Sequence, residues 1–134
     1  MKFAVKILKW IPAAFITAVS WHLSDLEKIE QMPSFAGADK IVHGICFAGL
    51  AFWVSFACGT RSIARIWIPA ALTAAYGIID EIHQHYTPGR SCSFFDWTAD
   101  AAGAVLGSLC FAACAYAASE ICTHRKQLKE TAKN

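Results

Sequence analysis

The chain has 134 residues, of which 56% are hydrophobic and 16% charged, with a net charge of +2. A soluble domain carries about 25% charged residues, so this composition excludes an ordinary soluble fold. The small positive balance is accounted for by loop charges, and no nucleic-acid partner is expected.

The apolar residues gather in four blocks, at about 7–23, 41–58, 63–79 and 97–121. Crossing the hydrocarbon core takes roughly 20 apolar residues, and in lipid the backbone must satisfy its own hydrogen bonds. Each block is therefore expected to be a helix. The expected fold class is all-α, a four-helix transmembrane bundle forming a single membrane domain over 1–134, with a basic tail at 123–134.

In chain order, the first block follows Lys2, Lys6 and Lys9. Ala18, Val19 and Ser20 resemble a signal-peptide cleavage site, whereas Trp21 and His22 suit the interfacial end of a retained helix. The loop to block two sets Asp25, Glu27, Glu30 and Asp39 against Lys28 and Lys40. Block two opens on Asp39, Lys40 and His43. Asp39 and His43 are four apart and share a helix face. Asp39 either caps the helix or serves a site, and His43 lies inside an apolar run. The turn to block three carries Arg61 and Arg65 without an acid.

The segment 76–103, YGIIDEIHQHYTPGRSCSFFDWTADAAG, concentrates the polar chemistry. Asp80, His83 and Gln84 form an i, i+3, i+4 set, and Glu81 with His85 forms a neighbouring pair rotated away from it. Pro88 and Gly89 break the helix, and Arg90 offers a planar fork for a carboxylate or phosphate. Ser93 and Asp96 match a capping box opening block four. Asp100 lies a turn further in, on a stripe with Asp96, Gly103 and Gly107 that admits another helix closely. It needs a partner, for which His43, His83 and Arg90 are the candidates. Charged groups at a membrane boundary are costly and mark a functional site.

Basic residues at the N-terminus, at the 61–65 turn and in the tail (Arg125, Lys126, Lys129, Lys133) fall on one side of a four-helix chain. The positive-inside rule places both termini in the cytoplasm and both polar loops outside. Trp21, Tyr86 and Trp97 fall near the outer interface. Of the six cysteines, five lie in or beside apolar helices, where cysteine acts as a small hydrophobe. Cys92, in an outer loop, has Cys46 as its only neighbour for a disulfide.

These positions resemble the VanZ-like family of small bacterial membrane proteins. The resemblance rests on Asp39, Lys40 and His43, then Tyr76, Gly77, Asp80, Glu81, His83 and Gln84, then Pro88, Gly89, Arg90, Ser93, Asp96, Trp97, Asp100 and Gly103, across about 23–107. It implies a multi-pass protein of the bacterial inner membrane. It also implies a link to the cell envelope and to antibiotic resistance, the name-giving member being tied to glycopeptides such as teicoplanin. Partners implied are membrane lipid and a carrier lipid, peptidoglycan precursor or glycopeptide.

Within this frame Asp39, His43, Asp80, Glu81, His83, Asp96 and Asp100 are the candidate catalytic residues. Lys40, Gln84, Arg90 and Ser93 are the candidate substrate contacts. Arg90 would clamp an anion, His43 or His83 would move a proton, and the carboxylates would orient them or hold a divalent cation. No diagnostic metal motif is present, so metal and cofactor stay open. The alternatives are a non-catalytic binding protein, a proton-linked transporter and a purely structural polar network.

Overall fold

The computed structural model describes residues 2–26 and 35–132. Glu27, Lys28 and Glu30 of the first loop, and Lys133 of the tail, lie outside the described residues. The helices are α1 (Lys2–Leu8), α2 (Ile11–Ser24), α3 (Ala38–Cys58), α4 (Trp67–His85) and α5 (Phe94–Thr131), with a 3-10 turn at Ile63–Arg65 before α4. Among the described residues there is no strand. The stretches Ala4–Ser24, Ala38–Cys58, Ile63–His85 and Phe94–Thr131 are long and apolar enough to cross a membrane. The all-α class with four membrane-length helices is thus the fold observed.

Two elements differ from the apolar blocks. The first block is broken into α1 and α2 at Lys9 and Trp10, just before Pro12. Proline has no N–H, and its ring would clash with the carbonyl four residues back. It is tolerated in the first turn of α2, where it sits. The last block extends into α5, 38 residues long, or about 57 Å at 1.5 Å per residue. That exceeds a hydrocarbon core of about 30 Å, so the basic tail continues as helix beyond the bundle.

Packing is inside-out relative to a soluble protein. Phe15, Ile45, Trp67 and Leu106 face outward, while Asp80, Glu81, Gln84 and Asp100 are buried. In lipid, apolar side chains need no burial, and helices associate through small residues and polar contacts instead. The most extensive interface joins α3 to α5. A Cβ at Gly103 would run into the backbone carbonyl of Gly44, and one at Gly107 into that of Ala48. The two backbones therefore touch along this seam. A small apolar cluster, Ala13, Leu50 and Val54 flanked by Ile16, Trp53 and Tyr76, ties α2 to the rest.

Candidate functional site

Alternating helix direction brings four helix ends together: the C-terminal ends of α2 and α4 and the N-terminal ends of α3 and α5. Every candidate residue named from the sequence lies at this end, but they divide into two networks with different characters.

The first network fastens α2 to α4. Asp80, 1% exposed, accepts from Ser24 Oγ at 2.8 Å and from Gln84 Nε2 at 3.1 Å, so both carboxylate oxygens are engaged. Gln84 Nε2 also donates to Ser24 Oγ at 3.3 Å, and Thr87 Oγ1 donates to the Ser24 carbonyl at 2.9 Å. Arg90 donates through Nε to the Leu26 carbonyl and through Nη2 to the Leu23 carbonyl, each at 3.1 Å. Leu23 belongs to the last turn of α2, whose negative end a cation stabilises, and Leu26 lies just past its C-cap Asp25. His83 pairs through Nε2 with Asp25 at 3.0 Å and stacks on Trp21 with ring centroids 3.8 Å apart. Arg90 is held at its bend by Gly89 in the left-handed region (φ 79°), which glycine adopts without strain.

The second network joins α3, α4 and α5. His43 Nδ1 donates to Asp100 Oδ1 across 2.9 Å. Asp100 is fully buried and Glu81 is 3% exposed. Of the three partners the sequence leaves open for Asp100, the fold supplies His43. The α3–α5 seam explains this, since His43 precedes Gly44 and Asp100 lies one turn before Gly103. Glu81 does not pair with His85, which is exposed. It turns inward and accepts the Ser93 backbone N–H through Oε2 at 2.7 Å. His43, Glu81 and Asp100 present donor atoms that all lie within 4.8 Å of one another. Glu81 Oε1 and Asp100 Oδ2 have no hydrogen-bond partner among the described residues.

Two capping expectations resolve differently. The N-cap of α3 is Gly37, so Asp39 lies in the first turn and does not cap. Its carboxylate meets Lys40 Nζ at 2.9 Å, and Lys40 reaches Asp96 Oδ1 at the same distance. Ser93 does cap α5, its Oγ accepting the Asp96 N–H at 3.3 Å. The reciprocal arm of a capping box is missing: Glu81 takes the Ser93 N–H, which leaves Asp96 for Lys40. This releases α5's first acidic residue to bridge toward α3.

A cavity of about 50 Å³ opens between the networks, lined by His43, Cys46, Phe47, Asp80, Gln84 and Arg90 among others. A water needs about 10–15 Å³ of such space, so the cavity has room for a few waters or one small polar group. Ser24 and Thr87 were not singled out from the sequence. The only signal for Ser24 is a hydroxyl ending an apolar block beside Asp25. All six cysteines are free, and no Cys46–Cys92 bridge forms.

No curated protein and no solved structure matches the chain. The family model for VanZ/LLP1 matches residues 1–115, a stretch holding both networks and the whole α3–α5 seam. With four membrane-length helices and most of its length matched, this multi-pass membrane protein belongs to the VanZ/LLP1 family.

Proposed function

We propose that the chain acts at the outer face of the bacterial inner membrane on cell-envelope material, a carrier lipid or peptidoglycan precursor, and thereby alters susceptibility to teicoplanin-type glycopeptides. The observation that carries this reading is the buried cluster of His43, Glu81 and Asp100, in which two neighbouring carboxylates each keep an oxygen unpaired among the described residues. Asp80 has both oxygens bonded, as a structural group should. Glu81 and Asp100 are buried with an oxygen each left unpaired, which costs about 1–3 kcal/mol per group unless something else meets it.

The chemistry available is acid–base. Asp100 fixes the ring orientation of His43 through Nδ1, which leaves Nε2 to accept or deliver a proton at a bound group. Lys40, between Asp39 and Asp96, supplies a cation at the rim. Arg90 commits two of its five N–H donors to the Leu23 and Leu26 carbonyls, so it positions the end of α2 beside the cavity and keeps donors for an anion. The outward orientation rests on the basic ends. Lys6 and Lys9, Arg61 and Arg65, and Arg125, Lys126 and Lys129 all lie at the bundle end opposite the site, the arrangement the positive-inside rule assigns to the cytoplasm.

The test uses a host whose teicoplanin susceptibility depends on this chain, with membrane protein level measured in parallel. His43→Ala and Asp100→Asn are expected to abolish the phenotype at wild-type protein level. Arg90→Lys, which keeps the charge and loses the fork, is expected to lower protein level and phenotype together. If His43→Ala and Asp100→Asn reduce the phenotype only in proportion to protein, the cluster is a packing device and the reading is overturned.

A further inference from the structure

We propose that His43, Glu81 and Asp100 form a binding site for one divalent first-row transition cation of the Mn²⁺ or Zn²⁺ class. The inference deepens the reading above, since it concerns the same site, but it stands on separate observations.

The first is charge. Two carboxylates lie side by side in a buried environment, and the only basic group within the triad is an imidazole. Buried carboxylates are retained when paired or when they coordinate a metal. Lys40, the nearest lysine in the sequence, is committed to Asp39 and Asp96. The two carboxylates of the triad supply the charge that a divalent ion neutralises.

The second is geometry. Metal–nitrogen and metal–oxygen bonds run about 2.0–2.2 Å, so two neighbouring ligands on one ion sit about 3 Å apart and opposite ones about 4.2 Å. His43 Nδ1 and Asp100 Oδ1 lie 2.9 Å apart, and all three donors fall within 4.8 Å. The ion takes the place of the proton held between His43 and Asp100, which leaves to solvent, and Glu81 closes on it from within the same 4.8 Å spread. The third observation is a cradle. A Cβ at Gly77 would meet Asp100 Oδ2 at 3.2 Å and Phe47 at 3.2 Å. Glycine at this buried position of α4 leaves the unpaired Asp100 oxygen its space.

The ligand set selects the class of ion. Carboxylates suit Mg²⁺, Ca²⁺ and Mn²⁺, whereas imidazole suits Zn²⁺, Fe²⁺ and Ni²⁺. One nitrogen with two carboxylates therefore favours the borderline ions over Ca²⁺ or Mg²⁺. Three protein ligands leave at least one open position, as in catalytic sites. Glu81 is in turn held by the Ser93 N–H, an outer contact of the kind that orients a metal ligand. A bound ion would also give an anionic phosphate or carboxylate something to bind in an otherwise acidic site.

The experiment uses the full chain in detergent micelles, stripped with chelator and titrated with Mn²⁺ or Zn²⁺, with metal content measured after desalting. One ion per chain is expected. Glu81→Gln and Asp100→Asn should weaken binding more than about 100-fold, the upper end of what loss of even an outer-shell contact costs. Ser24→Ala, in the other network, should leave binding intact. Because a variant can fail to fold, a second measurement uses Co²⁺. The wild type should give ligand-field absorption, and His43→Cys should add a thiolate charge-transfer band. Absence of any stoichiometric ion in the wild type overturns the proposal, as does equal binding by wild type, Glu81→Gln and Asp100→Asn. Metal binding without an effect of the triad variants on teicoplanin susceptibility keeps the site and overturns the envelope reading. The phenotype without metal binding does the reverse.

Discussion

Asp80 and Asp100 are both buried carboxylates at one bundle end, and they differ in how they are satisfied. Asp80 receives Ser24 and Gln84, while Asp100 receives His43 on one oxygen only. This difference gives a prediction at the scale of single residues. Asp80→Ala strands the Ser24 hydroxyl and the Gln84 amide, and stranding buried polar partners costs about 1–3 kcal/mol. Thermal unfolding of the purified protein should show that loss. Asp100→Asn keeps an oxygen and adds a donor, so its effect on unfolding should stay well below that of Asp80→Ala. Equal destabilisation by the two would remove the distinction between a fastening network and a working one.

At the scale of elements, the site exists because α3 and α5 approach to backbone contact. Gly103 and Gly107 face Gly44 and Ala48 with no room for a side chain. Gly107→Ala should therefore push the helices apart and destabilise by about 1–3 kcal/mol, the usual cost of overpacking. It should also weaken the function of a site about two turns away, whose His43–Asp100 pair spans the same interface. Gly49 is the control: a Cβ there would meet only Ile16 Cδ1 at 4.0 Å, so Gly49→Ala should be neutral or mildly stabilising through helix propensity. Melting temperatures of the two variants decide the matter, and a Gly107→Ala as stable as Gly49→Ala would show that the seam does not hold the site. The capping of α5 belongs to this scale as well. Ser93 is engaged at both its hydroxyl and its N–H, which locks the start of α5 to Glu81 of α4.

For the whole molecule, the arrangement is a bundle with polar groups inside one end and basic groups at the other. Orientation in the membrane can be read with the native thiols. Cys92 lies beside the start of α5 and Cys122 near its far end, and both are exposed. In variants retaining one of these cysteines alone, a membrane-impermeant thiol reagent added to the non-cytoplasmic side of the sealed membrane should label Cys92 and spare Cys122. The opposite pattern would put the polar site in the cytoplasm and detach it from outer-leaflet substrates.

How much of this was legible differs by level. Hydropathy alone determined the four spans and the all-α class, because a backbone in lipid has few ways to satisfy its hydrogen bonds. Chain parity then gathered Asp39, His43, Asp80, Glu81, Arg90, Asp96 and Asp100 at one end, and the fixed order of those residues carried the family resemblance. What only the tertiary structure decided was the pairing. An i, i+4 spacing defines a face of one helix and says nothing of its rotation against neighbours. Spacing therefore set Glu81 beside His85, whereas the fold turned Glu81 inward to Ser93. It left Asp100 with three possible partners, and the contact of Gly44 with Gly103 selected His43. It offered Arg90 as an anion clamp, and the fold set two of its donors on the Leu23 and Leu26 carbonyls at and just beyond the end of α2. Local sequence determines which groups are available near a membrane boundary, and the distances between helices decide which of them meet.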